Sequence, residues 1–164
     1  MENEILELLY RRYYSAALLY CLSLCGDPPM AEDLVAEAFV KAYLSLPDEI
    51  PSFQYWLFRV CRNLWLDHCR RNKHLSDEPP PELPDHNTPE TRYLANEQQQ
   101  ALWNAIATLS PLDRELVTLH YFSGLPLAEA AQVLGRSYPA ARQRMVRLRA
   151  TLKLRMEEQG YGKQ

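Results

Sequence analysis

The chain has 164 residues, of which 47% are hydrophobic and 24% charged, and its formal net charge is -3. That composition suits a globular protein of one medium domain or two small ones, and no apolar run approaches the roughly 20 residues of a membrane span. Met1-Glu2-Asn3-Glu4 is acidic rather than a basic signal-peptide opening, so a cytoplasmic protein with no direct membrane insertion is expected.

Only 5 glycines and no alternating apolar pattern make all-α the expected class. A net negative charge argues against a nucleic-acid partner, but the distribution reverses that reading. Residues 74–95 carry one basic and five acidic side chains, whereas residues 96–164 carry nine basic and six acidic. The basic charge is concentrated on particular helices.

The first predicted helix covers Glu4–Leu24 and is aromatic-rich on one side. Gly26-Asp27-Pro28-Pro29 ends it and starts the next. The second covers Met30–Leu46, with Ala31, Leu34, Val35, Ala38, Phe39 and Ala42 recurring at three- and four-residue spacing. Asp33, Glu37 and Lys41 fall on the opposite side, either as a solvated face or as a docking face for a large partner. Cys21, Cys25, Cys61 and Cys69 are expected to be reduced in the cytoplasm. Their spacing lacks the two-residue knuckle of most zinc sites, so they read as small apolar core residues, with a ligand set completed by His68 as the alternative.

Pro47 and Pro51 break the chain into a loop, Leu46–Ser52, before a third helix over Phe53–Asn72 with Ser52 as its N-cap. Leu57, Val60, Cys61, Leu64 and His68 form the expected buried stripe. Arg59, Arg62, Asn63, Asp67 and Arg70 gather on the other side, with Arg71 and Lys73 at the end. Such a face suits phosphate tracking better than plain solvation. Among the aromatics of this helix, Phe53 and Trp56 are best placed to stack on exposed bases.

Residues 75–91 (LSDEPPPELPDHNTPET) hold five prolines and five acidic residues and read as a tether. They divide an N-terminal helical domain, 1–74, from a C-terminal one, 96–164, with 75–95 as the linker. The alternative is a segment that mimics or avoids nucleic acid while threading a channel in a larger complex.

In the C-terminal half, Leu102, Ile106 and Leu109 mark a first helix and Leu112, Leu116, Leu119 and Phe122 a second, started by Ser110-Pro111. Gly124 permits a turn before the alanine-rich Leu127–Leu134 helix, Gly135 suits its C-cap, and Ser137 suits the cap of a last helix. At about 100° per residue, Ala141, Met145, Leu148, Leu152 and Met156 share one stripe of that last helix. Gln143 points away from the stripe, with Arg142 and Arg149 on one flank and Arg144 and Arg147 on the other. No acidic residue lies between Arg136 and Met156. A helix-turn-helix ending so is a reader of duplex DNA, with the amide suited to adenine and the arginines to phosphates or guanine edges. No nucleophile–base constellation, phosphate-cradling glycine loop or metal signature appears, so neither an enzyme nor a cofactor is expected.

AEDLVAEAFVKAYLSL, SFQYWLFRVCRNLWLDHCRR, LSPLDRELVTLHYFSGLPLAEAAQVLG and RQRMVRLR together resemble the extracytoplasmic-function (ECF) group of the sigma-70 family. The resemblance covers most of the chain. It implies a transcription initiation subunit with two helical domains and an acidic Pro-rich linker. The first domain would bind core RNA polymerase through Asp33, Glu37 and Lys41, and would capture the melted -10 element. There the loop Leu46–Ser52 would hold a flipped base, Asn63 would read it, and Ser52, Phe53, Trp56, Arg59, Arg62, Arg70 and Arg71 would complete the surface. The second domain would read the -35 element of promoter DNA with Tyr138, Arg142, Gln143, Arg144, Arg147 and Arg149. The resemblance also implies an anti-sigma factor as partner.

The chain departs from the family pattern in Asp48 and Glu49 of the loop, in Ala140-Ala141 where Thr-Val is usual, in Gln143 where Ser is common, and in Pro139. The competing expectation is a helix-turn-helix regulator that binds duplex DNA without polymerase.

Overall fold

The computed structural model describes residues 2–45, 52–73 and 96–161, and every regular element among them is helical. The chain divides into two compact units, Met1–Leu83 and Pro84–Gln164. Of the expected -10 loop, Leu46–Ser52, only Ser52 is described, and the expected linker at 75–95 lies outside the described residues.

The first unit packs α1 (Glu2–Cys25), α2 (Pro28–Ser45) and α3 (Phe53–Asn72) against one another. Gly26 ends α1 at φ 66°, and its N–H reaches the Leu22 carbonyl at 2.9 Å. This left-handed cap lets Pro28 open the next helix two residues later. Ala31, Leu34, Val35, Ala38 and Ala42 of α2 are buried, and α2 packs on both α1 and α3. Tyr20 of α1 and Phe58 of α3 are both fully buried and meet edge to face, with centroids 5.5 Å apart.

Helix α3 has the bounds expected of it, and Ser52 Oγ accepts the Tyr55 N–H at 3.0 Å as its N-cap. The expected stripe needs correcting. Leu57 and Cys61 are buried, but Phe58 rather than Val60, Leu64 or His68 completes the core. His68 instead stacks on Trp65, with ring centroids 5.6 Å apart. Phe39 of α2 is likewise only half-buried.

The second unit contains α4 (Glu97–Ile106), α5 (Pro111–Val117), α6 (Leu127–Val133) and α7 (Tyr138–Glu158). Helix α4 stops at Ile106, short of Leu109, and its largest buried side chain is Trp103 rather than Leu102. Helix α5 continues into one wider π turn, Thr118–Phe122, closed by Ser123 N–H to Thr118 O at 3.1 Å. The extra residue in that turn places Phe122 edge to face against Trp103 at 5.7 Å, and leaves Tyr121 exposed.

Gly135, at φ 67°, makes the break between α6 and α7. Arg136 N–H bonds Ala131 O at 2.9 Å and Gly135 N–H bonds Gln132 O at 3.1 Å, the paired bonds of a Schellman cap. Ser137 then caps α7 by accepting the Ala140 N–H at 3.3 Å. Pro139 sits within the first turn, where no intrahelical N–H partner is lost. Ala141, Met145, Leu148 and Leu152 are buried, as the wheel predicts, and Met156 is half-buried.

Candidate nucleic-acid interface

The cap at Gly135 and Ser137 fixes where α7 begins, and its buried stripe fixes which way the helix faces. Opposite that stripe stand Gln143 and, one turn on, Val146, which is 62% exposed. Val146 escaped the sequence reading because its neighbours drew attention to charge. An exposed aliphatic on a groove-facing helix suits contact with a thymine methyl. Tyr138, 48% exposed, stands at the helix start.

The arginines divide into two kinds. Arg142 and Arg147 are exposed, and their side chains make no hydrogen bond or ion pair among the described residues. Arg144 is held by Asp113 of α5, Nε to Oδ1 at 2.6 Å. Arg149 donates from Nε to Tyr121 Oη at 3.1 Å. Arg136, Gln143, Arg144 and Arg147 border a cleft of about 200 Å³ floored by Leu112 and Leu116. Arg136 was absent from the expected contact set, because it precedes the helix and falls outside its periodicity.

On α3, Arg59, Asn63 and Arg70 align on the side opposite Leu57, Phe58 and Cys61, with Leu66 between them. Asn63 is exposed, and Arg71 is exposed at the helix end. Arg59 donates to Tyr55 Oη at 2.6 Å and lies 5.9 Å from that ring's centroid. Arg70 pairs with Asp67 one turn away. Arg62 is half-buried and already engaged in an interaction. The face is therefore less positive than the count of arginines suggests. Ser52 Oγ is occupied as an acceptor by the cap.

Phe53 and Trp56 are half-buried with centroids 5.9 Å apart. Phe53 also packs near Tyr13 at 5.7 Å and Phe39 at 6.1 Å, so it supports the surface, while Trp56 shares the Asn63 side of the helix. Asn63 follows Trp56 by seven positions, about 10 Å along the axis. That spacing suits one stacked and one hydrogen-bonded nucleotide.

Asp33, Glu37 and Lys41 are all exposed along α2. Beside them runs a groove of about 640 Å³ lined by Tyr10, Tyr14, Phe39, Val40 and Tyr43, with Glu32 and Asp33 at its rim. Val40, Tyr43 and Leu44 are 54%, 62% and 73% exposed. A run of large apolar side chains left on the surface marks a protein-binding face. The sequence reading listed only the charged Asp33, Glu37 and Lys41 on this side of the helix and so missed the apolar residues beside them.

Three cysteines, Cys21, Cys25 and Cys61, are buried, but Cys69 is exposed, which corrects its reading as a core residue. Burial pushes the Cys25 thiol up to about 11. Burial first, and then a hydrogen bond with Cys61, push the Cys21 thiol well above its ordinary value. Protonated thiols in an apolar setting are poor nucleophiles and poor metal ligands. Among the described residues no three His, Cys, Asp or Glu side chains converge, and no helix is long and apolar enough to cross a membrane.

Comparison with known proteins places two family patterns on the two units. Residues 9–75 match sigma-70 region 2 and residues 99–152 match sigma-70 region 4. The chain is 31% identical over 155 residues to the ECF RNA polymerase sigma factor BldN of Streptomyces coelicolor; the alignment covers 88% of this chain and 57% of that protein. It is 28% identical over 149 residues to the ECF RNA polymerase sigma factor SigM of Bacillus subtilis, covering 88% and 91%. The sigma factor RpoE of Bartonella quintana, solved with the anti-sigma factor NepR, shares the fold at a TM-score of 0.72 and 24% identity, over 96% of this chain and 98% of that one. CnrH, solved with the cytosolic domain of CnrY, aligns at a TM-score of 0.63 and 26% identity, over 95% and 90%.

Proposed function

The chain belongs to the ECF group of the sigma-70 family, and on that basis we propose that it is an alternative sigma factor that directs core RNA polymerase to its promoters. Residues 1–74 dock on the polymerase and capture the -10 element, residues 96–164 read the -35 element, and residues 75–95 join them. The observation that carries this reading is the exposed basic face of α7, capped and stacked on a helix-turn-helix, in the same chain as the Asn63–Arg70 face of α3.

Each face supplies a different kind of contact. Arg142 and Arg147 neutralise backbone phosphates, while Gln143 reads a base edge in the major groove. On α3, Trp56 and Asn63 hold bases that have left the duplex. Unstacking a base costs a few kcal/mol, and capture in a pocket offsets it, which biases the promoter toward the melted state. Tethering the two contacts raises the effective concentration of the second once the first has formed.

Docking on the polymerase uses Asp33, Glu37 and Lys41 for orientation and the Tyr10–Val40–Tyr43 groove for apolar burial. The family is not an enzyme class. The polymerase performs the chemistry, and this chain contributes specificity without a cofactor, in the cytoplasm. RpoE was solved with an anti-sigma factor and CnrH with the cytosolic domain of CnrY, and the first of these supports an anti-sigma partner here.

Footprinting tests the proposal against a polymerase-independent regulator. The full chain alone should leave no specific footprint, and addition of core polymerase should protect sequences near -35 and -10. A sequence-specific footprint by the free chain, unchanged by polymerase, would favour the regulator.

A further inference from the structure

Arg144 differs from its neighbours on α7 in one respect: its positive charge is already matched. Asp113 lies 31 positions earlier, on α5, yet the Arg144 Nε to Asp113 Oδ1 distance is 2.6 Å. A charge-assisted bond of that length is a strong one. The two side chains are 38% and 21% exposed, while Arg142 and Arg147 stand free in solvent. Leu112, Leu116 and Ala141 border the cleft that Arg144 also lines. The Asp113 side chain is the less exposed of the two, so the pair is screened less than two fully exposed charges would be.

We propose that Asp113 is a positioning residue for the promoter-reading helix, holding Arg144 against α5 so that Arg144 sets the roll of α7 instead of contacting DNA phosphate. The inference rests on the reading of α7 as a duplex-binding helix. Its consequence is a restraint on indiscriminate binding. Each arginine that reaches a phosphate adds sequence-independent affinity, which lowers the ratio of specific to non-specific binding. With Arg144 withdrawn, Arg142 and Arg147 supply the electrostatic contacts, and Gln143 is held in register between them.

The test is a salt titration of full-chain binding to a fluorescent mixed-sequence duplex, with variants arranged as a double-mutant cycle. Asp113→Asn keeps the shape of the side chain but removes its charge. It should tighten binding at low salt and steepen the slope of log K against log salt by about 0.9, the value for one more neutralised phosphate. Arg144→Ala alone should leave the slope unchanged, whereas Arg144→Ala in the Asp113→Asn background should remove the gain. Asp113→Glu should restore the wild-type slope. If Arg144→Ala lowers the slope by about 0.9 in both backgrounds, Arg144 is an ordinary phosphate contact and the proposal is overturned. A wild-type chain whose weak binding shows no salt dependence would overturn the reading of α7 itself, and the two failures are thereby distinguished. Circular dichroism and a thermal midpoint for each variant separate these outcomes from unfolding. If Asp113→Asn unfolds the unit, the slope of Arg144→Ala against wild type decides the question alone.

Discussion

Arg149 reaches across 28 positions to place its Nε 3.1 Å from Tyr121 Oη, on the π turn that follows α5. Together with the Asp113–Arg144 bond on the other flank, it clamps α7 from both sides of its buried stripe. The exposed ridge between the clamps carries Gln143 and Val146. The helix is therefore fixed in roll as well as in position, which base reading requires.

Gln143→Ala should lose about 1–3 kcal/mol of discrimination at a single -35 position, with little change on other sequences. Holoenzyme binding to a set of duplexes mutated one base pair at a time measures this. A uniform loss on every sequence would place Gln143 on the backbone instead.

Asn63→Ala and Trp56→Ala should impair promoter opening more than closed-complex formation, because the proposed function assigns both side chains to bases available only after melting. A stacking ring contributes about 1–3 kcal/mol per base. Permanganate reactivity of unpaired thymines, compared with binding of the same holoenzyme to duplex, separates the two steps. Equal defects in both would contradict the assignment.

Much of this architecture is legible in the amino-acid sequence. The bounds of α3, the caps at Ser52, Gly135 and Ser137, and the buried stripe of α7 all follow from local rules of helix start, stop and period. What stayed hidden depends on distance in the chain. No periodicity announces that Asp113 meets Arg144, or that Tyr121 meets Arg149. The π turn at Thr118–Phe122 is a compromise between the α5 hydrogen-bond ladder and the packing of Phe122 on Trp103, and only the tertiary contact reveals it. The apolar groove of Tyr10, Val40 and Tyr43 was hidden for the opposite reason: an exposed apolar residue is indistinguishable by type from a buried one.

Phe58→Ala should destabilise the first unit by about 3–5 kcal/mol, since Phe58 is fully buried against Tyr20. Gly135→Ala should destabilise the second unit by about 1–2 kcal/mol through backbone strain alone, because a Cβ there meets nothing within 4 Å. Urea unfolding of the full chain measures both. A neutral Gly135→Ala would show that the left-handed cap is dispensable.

The buried thiols predict a pH dependence. In the unfolded chain Cys25 titrates near the ordinary thiol value, whereas burial raises it to about 11 in the fold. The folded state thus holds the proton more tightly, and its advantage is complete below the unfolded value. Stability should fall as the pH rises from about 9 toward 11. Thermal midpoints across that range should decline in the wild type and decline less in Cys25→Ala. Iodoacetamide at pH 8 should modify Cys69 first, with Cys21, Cys25 and Cys61 reacting only on unfolding.

Promoter-directed transcription tests the central claim most directly. Bacterial core RNA polymerase, incubated with the full chain and a library of genomic fragments, should produce discrete transcripts whose start sites share -35 and -10 sequences. Those transcripts should vanish when the chain is omitted, and should weaken sharply with a chain carrying Arg142→Ala and Arg147→Ala. Transcripts that are the same with and without the chain, or undiminished by that double substitution, would contradict the account.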